Sequence, residues 1–480
     1  MSRTEGISRR DFLEGVTGVI GTAAISPRSI FAQTGLASKR PAPSARRFRS
    51  KAVDAAIAST AAKIRDPELA WLFSNCLPNT LDTTVTYKSS GPDTIVVTGD
   101  IPAMWLRDSS AQVWPYLQFL NDDSELARLI EGVIRRQTRC ILADPYANAF
   151  MPDLASREPL SWSKTDHTEM KPGVGERKWE VDSLCYPVRL AHEYWRITHD
   201  LKPFNGEWVH AMQTILETFT AQQRKTSRGP YSFQRQAFNP TDTLSENGYG
   251  SPARPIGLIH SGFRPSDDAC VYPFNIPGNF FAVQTLNRIE EMLTEITHDN
   301  AAASQASRLR SEIKAALDAH ARVHHPTAGV IWAYEVDGFG NAICMDDANV
   351  PSLLALPYLG SCSATDSTYL ATRRFVLSEA NPYFFRGSAA EGIGGPHIGQ
   401  DMIWPMAITM RALTTDDDKE QLQCLAWLKS THAGTGFMHE SFNKDNPAKF
   451  TREWFAWANT LFGELILKLE KTNPKLLQSA

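Results

Sequence analysis

The chain has 480 residues, a formal net charge of -4 and 42% hydrophobic residues. Its acidic and basic residues are intermixed, which excludes the basic stripe typical of a nucleic-acid-binding protein. The 12 Trp, 23 Phe and 12 Tyr are many aromatics for a soluble chain. Aromatic residues build cores first, but beside acidic groups they also suit stacking on sugar rings.

The N-terminus is predicted to be an export signal covering residues 1–32. The segment Ser8–Leu13 carries a twin-arginine signature, the mildly apolar run Val16–Ile25 follows it, and Ala32 offers a small residue for cleavage. That run is too short to span a bilayer stably. An ordinary amphipathic N-terminal helix is the alternative. The signal predicts a periplasmic or secreted protein, without a membrane anchor in its mature form.

Residues 33–54, rich in Arg, Lys, Pro and Ser, predict a basic flexible tether. Length alone would allow two or three domains in the remainder. No Gly/Ser or Pro linker follows residue 51, so we expect a single catalytic domain over 55–475. The chain has 7 cysteines with no CxxC pair, and folding before export occurs in a reducing compartment, so free thiols are expected.

Apolar residues recur with helical spacing along most of the chain. The clearest predicted helices are Leu126–Leu142, Leu184–Ile197, Glu207–Gln223, Phe280–Ile296 and Ala302–Val323. Strand-like alternation is scarce, and Thr94–Thr98 and Gly329–Tyr334 are its better candidates.

A cluster of acidic or amide residues with aromatics precedes an apolar helix six times. The clusters are 104–108, 178–182, 264–274, 344–347, 399–404 and 451–457. Six inner helices alternating with six outer ones form an all-α (α/α)6 toroid, in which the N-terminal ends of the inner helices meet at one funnel. A bundle or helical solenoid would give similar periodicity without needing these clusters. The long loops 148–175 and 228–264 would border the funnel.

Two segments carry the candidate catalytic carboxylates. Asp267 and Asp268 are adjacent and therefore point in different directions, so one can face a substrate while Arg264 or a helix start holds the other. Glu440 lies between aromatics after a glycine-rich stretch, which is typical of a loop near a ligand. The alternatives are a helix-capping acid pair, and a buried glutamate paired with Arg452.

Further residues are candidates for binding sugar hydroxyls. Trp105, Arg107 and Asp108 place a ring, a cation and an acceptor within one helical turn. The other candidates are Glu180, Asp182, Arg264, Asp346, Asp347, Gln400, Asp401, His439 and Trp454. Each alone is more often a cap, a surface acid or a core residue. No zinc cluster, calcium loop, phosphate-binding loop or nucleophilic serine elbow is present, so no cofactor or metal is predicted.

Two carboxyl groups in such surroundings are what glycosidic bond cleavage requires, one protonated to release the leaving oxygen and one ionised. The sequence therefore predicts a sugar hydrolase.

Five segments together resemble glycoside hydrolase family 125, and the resemblance extends over roughly residues 55–470. They are Asp100–Pro115, Lys178–Pro187, Gly262–Phe274, Tyr334–Pro357 and Gly436–Glu464. The resemblance implies a metal-independent, inverting exo-α-1,6-mannosidase on an (α/α)6 fold, acting on mannose-containing oligosaccharides. It also implies Asp268 as general acid, with Asp267 as the alternative, and Glu440 as general base.

Two rival functions remain open from the sequence. A phosphorylase or lyase on the same toroid would need a basic phosphate site, or a Tyr or His base beside cations. A non-catalytic periplasmic glycan-binding protein would keep the tryptophans but would not need two opposed carboxylates.

Overall fold

The computed structural model describes residues 36–236 and 239–479. The predicted export signal, residues 1–32, lies outside the described residues. The helices are Lys51–Ala61, Pro67–Cys76, Asn79–Thr83, Leu106–Val113, Ser124–Ala143, Val181–Thr198, Gly206–Gln222, Ile276–Met292, Asn300–His320, Ser367–Val376, Pro405–Leu413, Asp418–Ser430, Ala456–Thr472 and Pro474–Leu477. The fold is therefore mostly helical.

Side-chain caps define where the predicted helices begin. Asp123, Asn205 and Asn275 each accept a backbone N–H in the first turn of the following helix, which satisfies a donor that the helix itself cannot pair. All five helices predicted from periodicity are present. The prediction for Ala302–Val323 extends too far, because the chain leaves the helix at His320 and pairs as a strand.

Five helices pack in a consecutive series around the core. Leu106–Val113 contacts Val181–Thr198 on one side and Ala456–Thr472 on the other. Val181–Thr198 also packs on Ile276–Met292, and Pro405–Leu413 packs on Ala456–Thr472. Each of these helices follows one of the acid–aromatic clusters found in the sequence.

The sixth cluster does not lead into a helix. Asp346 accepts hydrogen bonds from the backbone N–H groups of Leu353 and Leu354 at 2.8 and 2.9 Å. Residues 350–361 then form a succession of turns. The Asp346 carboxylate therefore accepts hydrogen bonds from the backbone of these turns, as an N-cap residue does at the start of a helix.

Short antiparallel sheets accompany the helices, which corrects the all-α prediction to a mostly helical fold. Three-stranded sheets join Met104–Trp105, Ala149–Phe150 and Val174–Glu176; Phe274–Asn275, Glu335–Val336 and Ala342–Ile343; and Met402–Ile403, Ser441–Asn443 and Phe450–Thr451. Two-stranded sheets pair Val85–Lys88 with Asp93–Val96, Arg322–His325 with Gly329–Trp332, and Phe384–Arg386 with Glu391–Ile393. The strands Asp93–Val96 and Gly329–Trp332 agree with the two candidates found from alternation, whereas the strands of two or three residues are too short for alternation to reveal them.

The described part of the predicted flexible tether, residues 36–54, is packed against the helices. The Arg40 guanidinium donates to Asp82 and Asp54 at 2.7 and 2.9 Å, and the Trp71 indole donates to the Ala37 carbonyl. A helix starts at Lys51. The tether prediction is wrong for the part around Arg40, because Arg40 and Arg46 pair with Asp54 and with the buried Asp82.

One hydrophobic cluster extends from Val53 to Leu477. All seven cysteines are free thiols, and five of them are buried. Within the described ranges, no helix has the length and apolar character to cross a membrane.

Candidate active site

A cavity of about 650 Å³ opens where the helix starts converge. Trp105, Trp404 and Phe455 lie immediately before the helices that begin at Leu106, Pro405 and Ala456, and all three line it. The remaining lining residues are Thr98, Ile101, Arg107, Asp108, Trp162, Glu176, Lys178, Arg235, Gln236, Asn239, Asp242, Pro265, Ser266, Asp267, Asn349, His397, Glu440, Arg452 and Trp457. The two predicted catalytic segments therefore meet in one cavity.

The two adjacent aspartates lie in a tight turn that directs their side chains to different sides. The Asp267 N–H donates to the Arg264 carbonyl at 2.9 Å, and the Arg264 N–H donates to the Asp268 carbonyl at 2.7 Å. Asp267 adopts a left-handed backbone with φ of 67°, a conformation that Asp tolerates better than most residues. This geometry places Asp267 in the cavity wall, with its side chain 22% exposed.

Asp268, the residue preferred from the sequence as the general acid, lies behind the cavity wall. It is 1% exposed and does not line the cavity. Its Oδ1 accepts from the Thr241 hydroxyl at 3.0 Å and lies 3.3 Å from His397 Nδ1. Sequence alone could not choose between the neighbours, because the left-handed residue sets which side chain faces outward.

The Asp267 carboxylate belongs to a buried charge cluster around Arg107. The Arg107 guanidinium donates to Asp267 at 3.0 Å and to Glu180 at 2.6 Å, and lies 3.4 Å from Asp182. Burial raises the pKa of Glu180 well above its usual range despite the charge of Arg107. Although burial opposes it, Arg107 together with the hydrogen bond to Glu180 lowers the pKa of Asp267. The two shifts are opposite in direction, so Asp267 is the more acidic of these two neighbouring carboxyl groups.

We expect Arg107→Met to destabilise the fold by about 3–5 kcal/mol, because removing one partner leaves buried carboxylates uncompensated. Urea unfolding of the mature protein measures this. Arg139→Met is the matched control, since the exposed pair of Arg139 with Asp93 contributes about 1 kcal/mol or less. Equal losses in the two variants would contradict a structural role for the Arg107 cluster.

Glu440 faces the same cavity from the other catalytic segment. The strand Ser441–Asn443 and the hydrogen bond from the Met438 N–H to Asn459 Oδ1 at 2.7 Å fix this segment. Arg452 Nη1 lies 3.4 Å from Glu440 Oε1, and Arg452 also contacts the Thr98 carbonyl and Asp100. The predicted Glu440–Arg452 pair is therefore present, but it lies in the cavity wall rather than in a closed core.

His397 is a cavity residue that the sequence prediction missed. Its Nδ1 faces the buried Asp268 at 3.3 Å, and its ring is about one-third exposed. Burial lowers the pKa of His397, but the hydrogen bond and charge of Asp268, with smaller effects of Asp267 and Glu440, outweigh this and raise it to about 9. At neutral pH a cation therefore lies between Asp268 and the cavity.

The raised pKa of His397 predicts a pH-dependent stability. A pKa that rises from 6.5 unfolded to about 9 folded stabilises the protein fully below pH 6.5, and this stabilisation is lost as pH rises through 9. We expect His397→Gln to lower the free energy of unfolding by roughly 1 kcal/mol at pH 6, since solvent partly screens the pair, and by less at pH 10. Chemical denaturation at both pH values measures this; a difference independent of pH would contradict it.

The two long loops contribute part of the cavity wall, as predicted. Trp162 comes from 148–175 and Arg235 from 228–264, and both side chains donate to Glu176 Oε1, at 3.0 and 2.8 Å. The buried Lys178 ammonium donates to Asp242 at 2.9 Å and to the Asp267 carbonyl at 2.7 Å. These contacts connect the loops directly to the turn that carries Asp267.

Several buried donors in the wall have no acceptor among the described residues. The indole N–H groups of Trp105 and Trp404 are buried and unpaired, and both rings line the cavity. Rings with free N–H groups suit a ligand that has an apolar face and hydroxyl oxygens.

Some predicted sugar-binding residues lie behind the wall. Glu180 and Asp182 contact Arg107, and Arg264 donates to Glu335 at 2.6 Å. Asp347 accepts from the Ser266 hydroxyl at 3.0 Å, while Asp346 supports the turns after it. None of these five side chains lines the cavity. The four carboxylates hold a wall residue or the backbone, and Arg264 pairs with the buried Glu335.

The other predicted sugar-binding residues lie away from the cavity. Gln400 is exposed, and Asp401 pairs with Lys444 at 2.8 Å. His439 is buried with its ring stacked on Phe450 at 3.9 Å. Trp454 packs beside Gly99 outside the lining. The structure therefore does not bring these four residues into the cavity; Gln400 and Asp401 lie in a turn in which Asp401 has a φ of 64°.

Sequence reasoning also passed over Lys178, Glu176, Asn349 and Trp162, which line the cavity. Lys178 stands in a cluster that the sequence did single out, and a lysine beside Trp179 was the available signal. His397 follows two glycines and a proline, a loop pattern that could have drawn attention to it. The other residues gave no such signal.

Comparison with known proteins gives agreement over nearly the full described length. A family model, Metal-independent alpha-mannosidase (GH125), matches residues 66–467. The Meiotically up-regulated gene 157 protein of Schizosaccharomyces pombe is 43% identical over 459 residues, covering 92% of this chain and 90% of that protein.

A solved structure is equally similar. It is a Streptococcus pneumoniae protein from a family of metal-independent alpha mannosidases, a non-productive substrate complex with alpha-1,6-mannobiose. It is 42% identical with a TM-score of 0.85, and the match covers 89% of this chain and 100% of that one. A glycosidase structure that is 11% identical, with a TM-score of 0.50 over 85% of this chain and 97% of that one, shares the fold alone.

Proposed function

The chain belongs to glycoside hydrolase family 125, which acts on α-mannosides, and we propose that it is an inverting, metal-independent exo-α-1,6-mannosidase. The observation that carries this proposal is the convergence of Asp267 and Glu440, from segments 173 positions apart, on one aromatic-walled cavity. Two carboxyl groups facing one cavity are the minimum that glycosidic hydrolysis needs.

Asp267 is proposed as the proton donor. We propose that it receives this proton from Glu180, whose pKa burial raises, when a sugar bound over Asp267 removes water from the Asp267 carboxylate. That desolvation raises the pKa of Asp267 and favours the proton on it, next to the glycosidic oxygen. The proton passes to that oxygen as the bond to the anomeric carbon breaks, and the Asp267–Glu180 pair then takes up a new proton from solvent.

Glu440 is proposed as the general base. In an inverting mechanism it takes a proton from a water that attacks the anomeric carbon on the face opposite the leaving group. The carboxyl groups of Asp267 and Glu440 should then lie roughly 6.5–9.5 Å apart when substrate is bound. Arg452 orients Glu440 and, with Asp100 and the Thr98 carbonyl as its other partners, holds it in the wall.

The proposed exo action and 1,6 linkage rest on the loops and on a relative. Trp162 and Arg235 build a wall on one side of the cavity, which favours a pocket for one terminal sugar over an open groove. The Streptococcus pneumoniae relative binds alpha-1,6-mannobiose. In a 1,6 linkage the leaving oxygen is bonded to the exocyclic C6 of the second sugar. The ring of that sugar therefore lies one bond further from the pocket than in a linkage to a ring carbon.

The cations of the cavity argue against a phosphorylase. Arg107, Lys178, Arg235, Arg452 and His397 line the cavity, and each has a carboxylate partner within 4 Å. A phosphate that entered the water position would have to displace those partners. Water is therefore the favoured nucleophile.

The proposed architecture is the (α/α)6 toroid, with the turns of 350–361 in place of one inner helix. Five helices that pack in one consecutive series support it, and three of them start at the cavity. A crystal structure in which these helices did not close into a ring would contradict this architecture.

The direct test is hydrolysis of mannobioses in the presence of EDTA. We expect α-1,6-mannobiose to be cleaved at least ten times faster than the α-1,2 and α-1,3 isomers, with mannose as the only product. Activity on another linkage alone would overturn the specificity, and binding without turnover would favour a glycan-binding protein.

We also propose that residues 1–32 direct twin-arginine export to the periplasm or beyond. Ser8–Leu13 and the following apolar run support this. Fractionation of cells that carry the chain and its Arg9→Lys/Arg10→Lys variant tests it. The wild-type chain should be in the periplasm and the variant in the cytoplasm; identical distributions would refute the signal.

A further inference from the structure

The aromatic side chains that line the catalytic cavity differ sharply in their exposure. Trp105, Trp404, Phe455 and Trp457 are each only 3–4% exposed, so they form an enclosed part of the wall. Trp162 also lines the cavity, but this residue is 43% exposed. Among the described residues of the lining it is the one exposed aromatic, and it lies where the cavity meets solvent.

Trp162 is held in place although much of its ring is exposed. Its indole N–H donates to Glu176 Oε1 at 3.0 Å, and Glu176 is 2% exposed. Arg235 donates to the same Glu176 oxygen at 2.8 Å and to the hydroxyl of the adjacent Ser163 at 3.2 Å. Arg235 also pairs with Asp166, whose side chain is fully buried, at 2.7 Å. The loop therefore presents the ring at a fixed position.

These contacts connect Trp162 to the side of the cavity that holds the proposed general acid. The buried Asn148 donates to Glu176 Oε2 at 3.1 Å, and its Nδ2 lies 3.3 Å from Asp267 Oδ1. Two side chains thus link the Trp162 ring to the Asp267 carboxylate. In an inverting glycosidase the acid protonates the leaving oxygen and the base acts on the opposite face of the terminal sugar. The sugar that leaves is therefore on the side of Asp267 and Trp162.

The exposed ring of Trp162 has the chemistry to bind a second sugar. Its N–H already donates to Glu176, so the ring offers its apolar face. The C–H face of a hexose packs on such a ring while the sugar hydroxyls stay in water. Because the ring is already fixed, binding orders little of the protein and costs less conformational entropy.

We propose that Trp162 is the platform on which the leaving sugar of the substrate stacks, and that it sets the affinity for disaccharides and longer mannosides. This assignment rests on the proposed function, because it takes Asp267 as the general acid. It adds a specificity-determining residue that binds the second sugar and takes no part in proton transfer.

Kinetics of Trp162→Ala on two substrates test this platform. We expect KM for α-1,6-mannobiose to rise about tenfold with little change in kcat, because stacking binds the second sugar equally in the ground state and the transition state. Kinetics on α-mannosyl fluoride, which has no second sugar, should be unchanged, and they also verify that the variant is folded. Trp162→Phe keeps an aromatic face and should restore most of the affinity.

Phe339→Ala is the matched control, since Phe339 is 61% exposed and lies outside the cavity lining. It should match wild type on both substrates. An unchanged KM for α-1,6-mannobiose in Trp162→Ala, or an equal loss on α-mannosyl fluoride, would overturn the platform and leave the proposed function standing. Failure of the wild-type protein to hydrolyse α-1,6-mannobiose would instead overturn the proposed linkage, and the platform with it.

Discussion

Replacing Glu440 by alanine should reduce kcat on α-1,6-mannobiose by about 10³–10⁴-fold, the upper range for loss of a general base. KM should change little, because the proposed role of Glu440 is to activate water rather than to bind sugar. Glu440 contacts Arg452 through one 3.4 Å pair, so its removal should leave the thermal unfolding temperature within a few degrees of wild type. Steady-state kinetics and thermal unfolding on the same preparations measure both effects.

Glu453→Ala is the matched control for this prediction. Glu453 is exposed in a neighbouring loop and does not line the cavity. Its variant should retain wild-type kcat. Substantial turnover in Glu440→Ala, or a loss of kcat that follows a large loss of stability, would remove Glu440 from the proposed mechanism.

The second prediction with a large expected effect distinguishes the proposed role of Asp267 from that of Asp268. Asp267→Asn should lower kcat on α-1,6-mannobiose by about 10³-fold but should affect an activated dinitrophenyl α-mannoside by less than about tenfold. A leaving group of low pKa departs without a proton, so only the natural substrate depends on the acid. The comparison of both substrates on one variant isolates protonation from binding.

Asp268→Asn is the matched control at the neighbouring position. Asp268 is buried against Thr241 and His397, so its variant should impair both substrates to a similar and smaller extent. If Asp268→Asn shows the leaving-group dependence and Asp267→Asn does not, the general acid is Asp268, and the proposed role of Asp267 is wrong.

Periodicity predicted a mostly helical chain and the approximate bounds of five helices, because buried faces recur every three to four residues. The carboxylates and their aromatic or basic neighbours located the two candidate catalytic segments. The sequence patterns could not predict which side chains face the cavity. Asp267 lines the cavity and Asp268 does not, at a turn with a single left-handed residue, and Asp401 and Trp454 lie outside the lining although the nearby Trp404 and Phe455 belong to it.

Contacts that join distant parts of the chain were also beyond the sequence. Glu180 is a plausible sugar ligand when judged from sequence alone, yet it is buried and accepts a hydrogen bond from Arg107. His397 matters because the fold brings it to Asp268, 129 positions away. Similarly, the sequence around Arg40 suggests a side chain in solvent, but the fold places Arg40 beside Asp82 and Asp54.

The measurement that tests the central claim most directly is proton NMR of the first mannose released from α-1,6-mannobiose by the EDTA-treated mature protein. An inverting mechanism with Asp267 as acid and Glu440 as base predicts that β-mannose appears first and mutarotates to the α anomer afterwards. If α-mannose appears first, Glu440 acts as a nucleophile or another residue does, and the mechanism proposed for this cavity is wrong.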